Sequence, residues 1–118
     1  MSNTIAAGTV AFGCVAEPTP TFYVQVRRMI QSIRWFGGSL ASADIFVCVV
    51  GAIDPDARRE FVALGAQVRE VAEFNPLNRH SNKIRFLELP ELMRYETAVL
   101  LDCDVALVQD PAPYFDQP

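Results

Sequence analysis

The 118-residue chain is 51% hydrophobic and 20% charged, the balance of one globular domain with a real core rather than of a disordered segment. A net charge of −4 argues against the basic stripe that nucleic-acid binding needs, and no apolar run approaches the roughly 20 residues of a membrane span. No signal peptide is evident, and the three scattered cysteines, Cys14, Cys48 and Cys103, have no zinc spacing; they read as buried thiols of a cytoplasmic protein.

"TVAFGCVA", Thr9 to Ala16, is a short apolar run with β-branched residues and predicts a buried strand. "EPTPT" breaks it. Thr19 or Thr21 is placed to cap the next element, and Pro20 suits a first helical turn. From Phe22 to Phe36 the apolar residues Phe22, Val26, Met29, Ile30, Ile33 and Phe36 recur at helical spacing, mostly opposite Arg27, Arg28, Gln31 and Arg34. Gly37-Gly38 ends the helix.

"DIFVCVVG", Asp44 to Gly51, predicts a second buried strand. A compact helix follows, capped by Asp54, opened by Pro55, favoured by Asp56 at its positive end and stopped by Gly65. "AQVREV" is a weaker third strand and "AEFNPLNRH" a loop. "SNKIRFLEL" predicts a helix capped by Ser81 and stopped before Pro90, "PELMRYE" a turn or short helix, and "TAVLLD", Thr97 to Asp102, a fourth strand.

The alternation β-α-β-α-β-α-β implies an α/β domain over residues 1–118, a mostly parallel Rossmann-like sheet flanked by helices. Right-handed crossovers favour the strand order 3-2-1-4. In that order the chain reverses direction between strands one and four. Ligands bind beyond the carboxyl ends of strands at such a switch point, here the end of strand one at Ala16 and the pair Asp102 and Asp104 after strand four.

Two carboxylates two residues apart at a strand end are expected to project to the same side, where their fields add. A divalent ion with hard-oxygen preference, Mn²⁺ or Mg²⁺, resolves that conflict, and such ions are usually shared with substrate phosphates. The plainer reading makes Asp102 and Asp104 solvated turn residues. Lys83, in the first turn of the preceding predicted helix, is positioned to meet a phosphate, or else is a surface charge. Cys103 between the two carboxylates is expected to turn to the opposite face.

The segment "SNKIRFLELPELMRYETAVLLDCDVALVQDP", Ser81 to Pro111, resembles the core signature of GT-A fold nucleotide-sugar glycosyltransferases, in particular the glycogenin and lipopolysaccharide galactosyltransferase group. The matching features are Lys83, Tyr95, the run Val99 to Leu101, Asp102 with Asp104, Leu107/Val108 and Asp110-Pro111. The helix carrying Ser32-Ile33-Arg34 is similar to one in that family. The resemblance implies Mn²⁺ or Mg²⁺ on Asp102 and Asp104, with Asp102 also near the ribose and Lys83 on the nucleotide-sugar. It implies that Ala16 lines the base pocket and that Phe22 or Tyr23 packs on the base. It also implies a UDP-sugar donor and an unidentified acceptor.

Members of that family are about twice this length, so the resemblance covers their donor-binding half, and no catalytic base is expected within these residues. Haloacid-dehalogenase-like phosphatases also carry Asp-x-Asp after an apolar strand. Their motif opens a domain, however, and the residue two past the second Asp is here Ala106 rather than Thr or Val. A nucleotidyltransferase would need a glycine-rich loop where this chain has "VAEPTPT". A third reading is a non-catalytic nucleotide-binding module, paired as a homodimer through an open sheet edge.

Overall fold

Apolar runs too short for helices and rich in valine make the strands, and the computed structural model, which describes residues 7–74, 77 and 82–106, joins them in one sheet. The strands are β1 (Val10–Ala16), β2 (Asp44–Val50), β3 (Ala66–Val71) and β4 (Thr97–Leu100). All pair in parallel, in the order β3-β2-β1-β4. The protein is thus an α/β domain with the expected Rossmann-like topology. Parallel strands buried on both faces carry continuous apolar runs, and β1 and β2 are buried along almost their whole length.

Helices α1 (Pro20–Phe36) and α2 (Pro55–Ala63) cover one face. Thr19 caps α1, its hydroxyl accepting from Phe22 N–H, and Asp54 caps α2, its carboxylate accepting from Ala57 N–H at 3.3 Å. The α1 stripe buries Val26, Met29, Ile30 and Ile33. Phe36 departs from the expected stripe and stands 52% exposed beside the exposed Trp35. The reason is the turn that follows: Gly38–Leu40 swings the chain back across the end of the sheet, and Leu40 fills the core there instead. Gly65, at φ +86°, provides the left-handed residue that releases the chain from α2 into β3.

The other face has a thinner cover. The helix expected from Ser81 to Leu89 is a single turn, α3 (Ile84–Leu87), and Ser81 lies outside the described residues. Lys83 precedes α3 instead of opening it and caps nothing. A 3₁₀ turn, Pro90–Arg94, leads towards β4. What holds α3 is Phe86, wholly buried with Ala11, Phe46 and Cys48. Its ring lies over Gly13, where a Cβ would stand 2.1 Å from the ring edge. Glycine in a buried strand marks such a close approach.

Candidate functional site

The fourth strand stops earlier than its apolar run suggests. Leu101 N–H still donates to Gly13 C=O at 2.8 Å, but Asp102 C=O accepts from Val105 N–H at 3.0 Å, closing a turn over Asp102 to Val105. Asp102 and Asp104 are therefore turn residues rather than alternate positions of an extended strand, which corrects the geometric expectation. Both still reach the same cleft, because the turn buries Cys103 between them and leaves each carboxylate exposed. Cys103 faces the core as expected, its thiol donating to Val15 C=O at 3.3 Å.

The cleft, about 430 Å³, opens beyond the carboxyl ends of β1, β2 and β4. Val15, Ala16 and Glu17 form its floor, Phe22 and Val50 its apolar sides, and Asn82, Lys83, Asp102 and Asp104 its polar wall. It lies where β1 has β2 on one side and β4 on the other, the switch point of the sheet. Of the residues singled out from sequence, Ala16, Phe22, Lys83, Asp102 and Asp104 meet there.

Tyr23 does not. One residue along a helix is a rotation of about 100°, and Tyr23 turns towards α2. Its ring meets Phe61 edge-on at 6.1 Å, and its hydroxyl accepts from Asp54 N–H at 3.1 Å. It lines a separate open groove with Pro18, Pro20 and Ile53. Of Phe22 and Tyr23, only Phe22 lines the switch-point cleft.

Lys83 pairs directly with Asp102 across the polar wall. The one-turn α3 has too few aligned peptides for a useful dipole, so the positive charge at this wall comes from the Lys83 ammonium and not from a helix end. Both partners are substantially exposed, 41% and 55%, and a surface pair of this kind contributes at most about 1 kcal/mol. It can therefore be exchanged for a ligand at little cost.

Residues invisible to motif reading position this wall. Asn82 is 4% exposed, and its side-chain oxygen accepts from Phe74 N–H at 2.7 Å. Arg85 donates to Ala72 C=O at 3.0 Å and stacks over the Phe74 ring at 5.0 Å. With Phe86 on Gly13, these contacts hold the segment that bears Lys83. The available signals were the glycine inside an apolar strand and an asparagine beside the lysine; neither names its partner. Arg79, His80, Leu107, Val108 and the Asp110-Pro111 pair lie outside the described residues.

The three thiols differ. Burial pushes Cys48 up to about 12. Interaction with Cys103, together with burial, holds the Cys14 thiol well above its ordinary value. The same interaction draws Cys103 below it, against burial and the nearby Asp102 and Asp104 charges.

Among the described residues no group of three or more His, Cys, Asp and Glu side chains is arranged to hold a metal, and no helix is long and apolar enough to cross a membrane. No protein-family model matches the chain, and no curated protein matches it. Fold and site together define the class as a Rossmann-like α/β domain with an acidic turn and a lysine at its switch-point cleft.

Proposed function

We propose that the protein is a glycosyltransferase whose cleft binds a nucleoside diphosphate sugar, with uridine diphosphate as the carrier. The observation that carries this reading is the convergence of Ala16, Phe22, Lys83, Asp102 and Asp104 on one cleft at the switch point. The end of β1, a residue of α1, the residue before α3 and the turn after β4 supply these groups, and no single local motif would bring them together.

Each residue then has a task. Phe22 offers an apolar ring to a base, and the small side chain of Ala16 leaves room for it at the end of β1. Lys83, released from Asp102, meets a phosphate as a compact cation. Asp102 and Asp104 supply two hard-oxygen donors. That set is too small to cage Mn²⁺ or Mg²⁺ alone, but it fits an ion that completes its shell with water and ligand phosphate oxygens. Bound there, the ion would neutralise the charge that grows on the departing diphosphate. Lys83 stabilises the same charge from the adjacent wall.

Calorimetry with UDP, in the presence and absence of Mn²⁺, tests the reading. UDP is expected to bind at least about tenfold more tightly with the metal, a difference of about 1.4 kcal/mol. Equal affinity under both conditions would remove the metal from the proposal, and no binding in either would remove the nucleotide.

A further inference from the structure

Parallel strands need cover on both faces, and the two faces of this sheet receive it unequally. On one face, α1 and α2 bury an apolar side and α1 turns the exposed Arg28 outward. Among the described residues, the other face has only the one-turn α3 and the 3₁₀ turn Pro90–Arg94. The inner side of this layer is apolar: Phe86, Leu89, Leu92 and Tyr95 pack with Ala11, Phe46 and Cys48. Its outer side is apolar as well. Ile84 and Leu87, three residues apart, share the outer side of α3, and Met93 stands out from the next turn. Leu87 is 58% exposed and Met93 91%. Phe74, also exposed, flanks α3 beyond the Arg85 side chain. A segment that is apolar on both sides has the pattern of a buried layer and not of a surface one.

We infer that this layer is the interface of a two-fold homodimer, in which the α3 face of one copy covers the α3 face of the other. Two observations choose a second copy as the occupant. The first is area. At about 150–200 Å² for a whole large side chain, the exposed parts of Phe74, Ile84, Leu87 and Met93 offer on the order of 400 Å² of apolar surface. A standard interface buries about 800 Å² per partner, a little over half of it apolar. The patch therefore supplies the apolar core that a stable dimer needs. The second is charge. A two-fold interface sets a surface against itself, so a patch rimmed by one sign would repel its copy. Here Glu88 and Arg94, both exposed, stand beside Leu87 and Met93 with opposite signs, and Arg85 pairs with Glu88 at 3.0 Å. Each charge on one copy has its opposite available on the other. A second copy also fixes from outside a helical turn too short to hold its own shape. The inference rests on this apolar layer and not on the nucleotide reading of the cleft.

Sedimentation velocity on the full chain over a concentration series tests the interface. Twice the chain mass is expected at the upper concentrations, with a dissociation constant in the micromolar range or tighter. Leu87→Glu and Met93→Glu each set a carboxylate in the apolar patch and should weaken association at least about tenfold, with the far-ultraviolet circular dichroism unchanged. Trp35→Ser, at the exposed aromatic pair that ends α1, should leave the dimer as it is. When the unsubstituted protein is diluted, the amides of residues 84–94 should exchange faster, and those of α1 should not. A single chain mass at every concentration would overturn the proposal and give the face to a different partner. So would a dimer that survives both glutamate substitutions, or one that Trp35→Ser dissolves. Because the dilution series uses the unsubstituted chain, a variant that fails to fold leaves the answer intact.

Discussion

At the amino ends of the strands, Arg34 donates to the carbonyls of Ala41, Ala43, Leu64 and Gly65. At their carboxyl ends, Asp102 and Asp104 stand exposed around an open cleft. One guanidinium thus gathers two connections at the closed end, α1 to β2 and α2 to β3, and Tyr95 adds a hydrogen bond to Asp44 beside them. The open end gathers charged groups with few internal partners. The difference separates two jobs. Groups that satisfy backbone carbonyls stabilise the fold, whereas groups held at a cleft with weak, exposed pairing keep their capacity for a ligand. Substitutions at the closed end should therefore change stability and spare binding, and those at the open end should do the reverse.

The largest effect should come where that division breaks. Phe86 belongs to the core, yet it anchors the segment bearing Lys83. Phe86→Ala is expected to cost about 3–5 kcal/mol in urea unfolding and also to weaken UDP binding. Unchanged UDP affinity in the folded variant would show that the cleft wall is held by Asn82 and Arg85 alone. Arg34→Met comes next. It leaves four carbonyls without their donor and should cost about 2–3 kcal/mol, with calorimetric UDP affinity unaltered.

At the open end, Asp104→Asn should abolish the gain in UDP affinity given by Mn²⁺, a loss of at least about tenfold. Its unfolding free energy should stay within about 0.5 kcal/mol of the unsubstituted protein. Retained metal dependence would make the acidic turn structural. The smallest effect belongs to Tyr95→Phe, about 1 kcal/mol. Burial, with the hydrogen bond to Asp44, raises the Tyr95 hydroxyl to about 12. A raised phenol stabilises the fold below its ordinary value near 10, and that contribution is lost as pH rises towards 12. The unsubstituted protein should therefore lose stability across that window, and Tyr95→Phe should show a flatter alkaline limb in pH-jump unfolding.

Much of the fold was legible because local chemistry and tertiary structure agree. Asp54, Pro55 and Gly65 mark both ends of α2 in the sequence, and the helix lies between them. The valine-rich runs of β1 and β2 announce strands buried on both faces. Agreement fails where a partner distant in sequence decides. The periodicity over "SNKIRFLEL" was consistent with a nine-residue helix, yet Asn82 is spent on Phe74 and only one turn forms. The "TAVLLD" run was consistent with a strand to Asp102, but the turn closed by Val105 ends it at Leu100. Tyr23 and Phe22 are equivalent in sequence, and only the position of α2 separates them.

The sequence by itself determined the alternation of strands and helices, the strand order through the handedness of crossovers, and the identity of the lysine and the two carboxylates at the carboxyl end of the sheet. Spacing and side-chain type suffice for these because they act over a few residues or through chain chirality. Only the tertiary structure decided that Lys83 faces Asp102, that Phe22 rather than Tyr23 enters the cleft, that Gly13 seats Phe86, and that Cys14 and Cys103 share a face while Cys48 does not. Those pairings join residues tens of positions apart. They arise from the register of neighbouring strands and the packing of helices on them, which no local pattern encodes.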